Sequence, residues 1–343
     1  MVRTYSYRVD VYRNGARLTS IKAVDPPRIT ASADRKIKTG LNGTFAYNEN
    51  VDYLNDELRP VQIIDGKEYP AGVFHVARYS DAYAQFGKTM RIEAYDKCYL
   101  LKSTTTETVL HLAAGTSYLM SIEQLLVGAG IKLYISTPSD AVLASDREDW
   151  PIGTDYLTIV NELLSEINYD PVWFNSDGYA VLRPTVSASA ENIQHAYSGL
   201  DVKSVLSHDC TASVDIWDKP NVFIAVCQNP DLDAPMIATA VNDSPVSSIS
   251  TFRRGRRIAR TYKVKNIADL DALQEYVNNL RNESMLSSET LTIYTANMPG
   301  HGIGDTVAVQ HPKISGVYRE IGWSLTLAPG QLMQHDLQRK VLI

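Results

Sequence analysis

The first hundred residues alternate polar and apolar positions in short runs. In YSYRVDVYRNGARLTSI the alternation turns at Asn14-Gly15, and in VQIIDGKEYPAGVFHVARY it turns at Asp65-Gly66. Successive side chains of a strand point to opposite faces, so this pattern predicts half-buried strands. An Asn-Gly or Asp-Gly pair predicts a two-residue hairpin, because both central positions need positive φ. AQFGKTMRIEAYDKCYLL adds a strand with Ile92, Ala94 and Tyr95 near its middle. Hairpins at this spacing predict a small antiparallel barrel or sandwich over residues 1–104.

The period changes after Ser103–Thr106. SYLMSIEQLLVGAG places Leu119, Ile122, Leu125 and Leu126 at helical spacing, stopped by Gly128 and Gly130. IKLYIS reads as a strand. GTDYLTIVNELLSEIN is a second amphipathic helix, with Leu157, Val160, Leu163, Leu164 and Ile167 on one face and Thr154 or Asp155 as cap. YDPVWFNSDGYAVLRP reads as a hairpin turning at Asp177-Gly178. Residues 105–190 therefore form a mixed α/β module. From 191 to 343 strands resume around one helix, NIADLDALQEYVNNLRNESM. Its cap would be Asn266 and its stripe Leu270, Leu273, Tyr276, Val277 and Leu280. The expected fold class is α+β and mostly β: two antiparallel, barrel-like domains bracketing the α/β one.

Composition sharpens this. The chain has 343 residues, 44% hydrophobic, enough for a sizeable core. It holds 20 Tyr against 6 Phe, and Tyr suits half-exposed strands and interfaces because it buries a ring while keeping a wet hydroxyl. Net charge is −6, which argues against general nucleic-acid binding. Cys98, Cys210 and Cys227 make an odd count without CxxC spacing, so no disulfide framework is expected and assembly in a reducing cytoplasm is. The N-terminus lacks the apolar core of a signal peptide, and no apolar run is long enough for membrane insertion.

Four stretches carry candidate chemistry. MPGHGIGDTVAVQHP holds His301 and His311, which could meet on zinc with a third ligand such as Asp305. The glycines lack phosphate-loop spacing, so the favoured reading is a sharp turn feeding a strand. SHDC sets His208, Asp209 and Cys210 side by side; strand neighbours face opposite ways, so a Cys nucleophile would need a base such as His195 brought in from elsewhere. FRRGRRIAR carries five arginines, read as a subunit interface or guarded edge rather than a DNA patch, with acidic NPDLDAP a possible complement. SDREDW bunches Asp146, Glu148 and Asp149 without a calcium-loop spacing and reads as a solvated loop. No GxSxG, HExxH or kinase signature occurs. No catalytic residue, cofactor or metal is expected.

The order of modules resembles the baseplate hub family of phage tails, which includes prophage and tailocin hubs and the base of type VI secretion spikes. The likeness rests on LNDELRPVQIIDGKEYPAGVFHV, with Gly66, Lys67, Gly72 and Phe74 where the family's first barrel has its turn and strand. It continues through WDKPNVFIAV, LTIYTANMPGHGIGDTVAVQHP and GVYREIGWSLTLAPG, the last with apolar positions Tyr318, Ile321, Leu325 and Leu327. The resemblance spans nearly the whole chain and implies a non-enzymatic homotrimer. Each subunit would supply two similar lobes to a six-unit ring, joining the hexameric tail tube or a distal tail protein to a trimeric spike, with the tape measure protein a further possible partner. DNA would pass through such a ring without specific binding, and the arginines Arg253, Arg254, Arg256 and Arg257 would face a protein partner. Some relatives carry a C-terminal peptidoglycan hydrolase, which is not expected in a chain ending soon after the last β module.

Two other functions fit the residues. A cell-wall hydrolase would need His195, His208 and Cys210 to converge. A glycan-binding tail-tip module would need an exposed aromatic platform at Trp173 or Trp217.

Overall fold

The computed structural model describes residues 4–84, 87–200, 205–214, 219–227, 235–264 and 269–342. In chain order it begins with β1 (Tyr5–Arg13), β2 (Ala16–Ile21), β3 (Arg28–Ser32), β4 (Thr39–Ala46), β5 (Glu57–Ile64), β6 (Lys67–Pro70), β7 (Phe74–Ala84) and β8 (Gly87–Tyr95). Then come α1 (Cys98–Ser103), α2 (Tyr118–Gly128), β9 (Tyr134–Ser136), α3 (Tyr156–Glu166), β10 (Trp173–Phe174), β11 (Ala180–Leu182), β12 (His195–Ser198) and β13 (Leu206–Val214). The remainder is β14 (Val222–Cys227), β15 (Met236–Val241), α4 (Thr251–Arg254), β16 (Ala259–Val264), α5 (Leu270–Ser284), β17 (Leu286–Ala296), β18 (Thr306–Gln310), β19 (Ser315–Thr326) and β20 (Leu332–Leu342). The class is α+β and mostly β. The chain divides into two compact units, one of residues 1–210 with 292–337, the other of 211–291 with 338–343.

In the larger unit the predicted hairpins form as read. Asn14 and Gly15 have φ of 51° and 80°, and Asp65 and Gly66 have the same pair of values, so both turns are of the mirror-image kind that matches strand twist. β1 pairs with β2 and β5, and β4 and β7 flank β8. Inward positions Val9, Val11, Leu41, Phe45, Leu58, Phe74, Met90 and Ile92 form one core, completed by Leu325, Leu327 and Met333 from the end of the chain. Each fully buried Leu or Phe contributes about 1.5–3 kcal/mol by leaving water. Tyr95 is not central to its strand but ends it, half-buried.

The barrel-like closure expected here is not completed: the sheet is an open path with β2 at one end. Between β2 and β3 the chain meets β4 at the single Ala23–Phe45 bridge. Asp25-Pro26-Pro27 follow at once, and proline has no N–H to extend a ladder.

The middle of this unit holds a separate core, in which Leu119, Ile122, Leu125 and Leu126 of α2 face Leu157, Val160, Leu163 and Leu164 of α3. Ser117 caps α2, and Asp155 rather than Thr154 caps α3 by accepting from Thr158 N–H at 3.0 Å. The strands here form the small mixed sheet β10-β11-β9. The hairpin into β11 turns with positive φ at Gly178 alone, so it is not a third turn of the Asn14-Gly15 kind.

In the smaller unit β14 lies between antiparallel β15 and parallel β16. α5 covers this sheet with Leu273 and Val277, which pack with Phe223, Ala225, Ala238 and Ala240. The expected helical stripe is narrower than five residues: Leu270 and Tyr276 are exposed. Asn266 and most of NPDLDAP lie outside the described residues.

One buried carboxyl joins β8 to α1. Asp96 accepts from Thr39 N–H at 2.8 Å and Cys98 N–H at 2.9 Å. Burial nevertheless pushes its pKa up to about 6, against the pull of those donors. A carboxyl with a raised folded pKa stabilises at low pH and loses that contribution as pH rises through the interval to the folded value. Asp96→Asn removes this titration. Its stability relative to the parent should therefore improve by about 2–3 kcal/mol between pH 4 and pH 7 in denaturant titrations; a gap independent of pH contradicts the assignment.

Candidate functional site: a buried histidine and glutamate cluster

Three strands of the larger unit each place one polar side chain where the alternation calls for an apolar one. On β19, Tyr318 and Glu320 share the inward face; on β20, Met333, His335 and Leu337 do; on β17, Ile293 and Thr295 do. A period of two leaves these polar groups no route to solvent. Glu320 and His335 side chains are 0% exposed.

The fourth member arrives on a loop. The turn before β18 is tied to β19 by two backbone bonds, Gly304 N–H to Glu320 C=O at 2.8 Å and Glu320 N–H to Asp305 C=O at 2.7 Å. That turn requires its glycines: Gly304 has φ of 83°, and a Cβ on Gly302 would lie 2.5 Å from the Trp173 ring. Gly302 N–H donates to Asp305 Oδ2 at 2.8 Å and closes the bend. His301 is thereby set beside Glu320, its side chain 1% exposed.

The contacts form a chain. His301 Nδ1 lies 2.6 Å from Glu320 Oε2, and His335 Nδ1 lies 2.7 Å from Glu320 Oε1. Tyr197 Oη is 2.6 Å from His301 Nε2, and Thr295 Oγ1 is 2.9 Å from His335 Nε2. The Thr295 hydroxyl donates to the Ala296 carbonyl at 2.8 Å. Its oxygen therefore accepts from His335 Nε2–H. A neutral His335 then has a bare lone pair on Nδ1, aimed at a carboxylate oxygen 2.7 Å away. Two lone pairs do not approach so closely, so a proton lies between these two atoms. Burial pushes Glu320 up, but the hydrogen bonds from both imidazoles outweigh it and hold the carboxyl below its ordinary range. Burial pushes His301 down more strongly than Glu320 raises it.

A second layer surrounds the cluster. The His195 ring stacks on His301 with centroids 3.8 Å apart and planes at 16°. His195 Nε2 is 3.3 Å from Asp305 Oδ2, and Arg183 donates to Asp305 Oδ1 at 3.3 Å and to the Ile303 carbonyl at 2.8 Å. Burial raises the Asp305 pKa, but hydrogen bonds from His195 and Gly302 and the Arg183 charge together leave it below the ordinary value. Arg319 ties the same region to Asp170 at 2.6 Å. A small cleft of about 40 Å³ lined in part by Met298, Pro299, Gly300 and Trp323 borders His301.

His301 and His311 do not share a site. His311 Nδ1 accepts from Lys313 N–H at 3.2 Å, and its Nε2–H donates to the His208 carbonyl at 3.2 Å. Asp305 meets His195 instead. The turn reading of Gly302, Gly304 and Asp305 describes their backbone role correctly but omits the imidazole they position.

Cys210 is half-buried on β13, and its nearest imidazole is His311, with Sγ 3.7 Å from Nδ1, not His195. That nitrogen's lone pair already serves Lys313 N–H, which leaves it a poor base for the thiol. His208 and Asp209 are exposed. Trp173 is 8% exposed and forms no outward platform; Trp217 lies outside the described residues. In SDREDW the acids fasten a loop: Asp146 accepts from Ala114 N–H, Asp149 meets His111 at 2.7 Å, and Arg147 reaches Glu162 and Glu166.

The arginine stretch is not a single edge strand. Ser250 caps α4 through Arg253 N–H, and Gly255 ends it with φ of 62°. Arg253 donates to the Pro245 carbonyl at 2.8 Å and Arg254 to the Lys219 carbonyl at 2.9 Å. Arg253, Arg256 and Arg257 are exposed beside Phe252, which is 70% exposed. Only the end of the stretch enters β16, an edge strand of its sheet.

No family model matches the sequence, and no curated protein matches it. Solved structures do. A tail protein from Neisseria meningitidis superposes with a TM-score of 0.63 at 14% identity, covering 98% of this chain and 97% of that one. The 43 kDa tail protein of prophage MuSo2 from Shewanella oneidensis gives 0.61 at 11% identity over 97% and 98%. A chain of the Francisella PdpA–VgrG complex gives 0.56 at 10% identity, over 98% of this chain and 58% of that chain. The fold is thus that of phage and prophage tail proteins, as the module order led one to expect.

Proposed function

We propose that this chain is a non-enzymatic structural subunit of a phage tail or tailocin-like particle. It forms a homotrimeric hub whose paired lobes make a six-unit ring between the tail tube and the spike. The observation that carries this reading is the end-to-end likeness to two tail proteins, over at least 97% of each chain. The modules 1–104, 105–190 and 191–343 serve as first lobe, connector and second lobe. The particle's tail or baseplate is then its location, after assembly in the host cytoplasm. A distal tail protein and the tape measure protein are further partners.

Surface chemistry supports a contact role. Leu54 and Tyr83 in the larger unit are 75% and 79% exposed, and Val246 and Phe252 in the smaller are 79% and 70% exposed. Large exposed side chains beside arginine are the usual anchors of protein interfaces. Arg253, Arg254, Arg256 and Arg257 with Phe252 are assigned to such a face. Against a hydrolase stands the Cys210–His311 pair, whose base is occupied.

The mass of the purified chain in solution, alone and with a candidate spike protein, tests the reading. Trimers of the 38.1 kDa chain are expected in the mixture. A monomer under both conditions, or clearing of peptidoglycan in a zymogram, contradicts it.

A further inference from the structure

We propose that His301, Glu320 and His335 form a structural site for one transition-metal dication of the zinc class. The two Nδ1 atoms and the Glu320 carboxylate are the ligands.

The first support is donor arrangement. One ligand atom from each of the three residues can be chosen so that all lie within 4.8 Å of one another, and all three residues are buried. Both Nδ1 atoms already point at the carboxylate fork, at 2.6 and 2.7 Å. Zinc bonds of about 2.0–2.2 Å at tetrahedral angles place neighbouring donors roughly 3.4 Å apart, so each pair must open by a little under about 1 Å. Two imidazoles and a carboxylate gripping with both oxygens fill four positions, which closes the site as a structural ion requires. Nitrogen donors select zinc, cobalt, nickel or copper over magnesium or calcium.

The second support is the outer layer. A metal-bound imidazole donates its far N–H to an oxygen that fixes the ring. Thr295 Oγ1 already receives His335 Nε2–H, because its own hydrogen is turned to Ala296. Tyr197 Oη stands 2.6 Å from His301 Nε2 in the matching place. His195, stacked on His301, holds the plane of that ring.

The third support is charge. Glu320 is the one anion among the three ligand residues and its side chain is 0% exposed, so a dication would meet a buried negative charge there. On binding, the ion bonds to both Nδ1 atoms and the carboxylate, and any proton shared between those atoms leaves to solvent or shifts to the far ring nitrogen. The cleft beside Met298, Pro299 and Gly300 borders His301.

The test uses the full chain, stripped by chelator and then titrated with Zn2+ or Co2+. One ion per chain is expected by native mass spectrometry, with visible Co2+ bands of a four-coordinate nitrogen and oxygen site. Glu320→Gln, checked for folding by circular dichroism, is the decisive variant, because the amide keeps the side chain's shape and can hydrogen-bond both imidazoles but is a poor metal ligand. It should bind at least about a hundredfold more weakly. His335→Gln, checked for folding by circular dichroism, should do the same. Less than one ion per chain at saturating Zn2+, or an affinity unchanged in folded Glu320→Gln, overturns the site.

Discussion

Glu320→Ala should destabilise the larger unit by about 3–5 kcal/mol, read as a lower denaturant midpoint in the presence of chelator. The carboxylate is the acceptor for two imidazoles whose side chains are at most 1% exposed. Removing it takes the shared partner from both buried imidazoles, and a buried polar group without partner costs far more than a lost surface bond. Glu320→Gln should behave differently. Its amide keeps the shape of the carboxylate and offers one acceptor and one donor, so each imidazole can keep a hydrogen-bond partner in the matching tautomer. The cost should therefore stay within about 1 kcal/mol. Equal losses in the two variants would show that the hydrogen bonds to the two imidazoles are not what the carboxylate contributes.

The second large effect concerns assembly. Replacing Arg253, Arg254, Arg256 and Arg257 by Glu should weaken assembly with tail partners by more than about a hundredfold, because like charges pressed together at an interface cost several kcal/mol. The fold should survive, since Arg253, Arg256 and Arg257 are exposed, and the bonds from Arg253 and half-buried Arg254 to the Pro245 and Lys219 carbonyls tie down loops rather than a core. A milder pair, Arg256→Glu with Arg257→Glu, leaves those two bonds intact and separates loss of contact from loss of structure. Particles that assemble normally with all four arginines reversed would remove the patch from the interface.

Much of this architecture is legible in the sequence, for identifiable reasons. Asn14-Gly15 and Asp65-Gly66 fix their hairpins because few other pairs tolerate positive φ twice in succession. The stripes of α2 and α3 fix which faces pack. The open sheet is harder to read, because whether Ala23 begins a ladder or makes one bridge depends on two prolines that follow it. The cluster was missed for a related reason. Reading β19 through Tyr318, Ile321, Leu325 and Leu327 follows hydrophobicity and loses the period of two. The alternation from Tyr318 instead runs to Glu320 and Gly322, and that from Met333 runs to His335 and Leu337. A charged residue in phase with buried apolar neighbours on two strands was the available signal. That those strands bring their polar members together across residues 301–335, beside Thr295, is a property of pairing that no local pattern encodes.

The central claim is that this polypeptide acts by shape and contact, as paired lobes around a threefold axis. Class-averaged electron micrographs of the chain assembled with its tube and spike partners test it most directly. Six lobes with threefold symmetry, filled by three copies of the chain, are expected; a ring of any other copy number, or a single copy bound at its margin, would contradict the account.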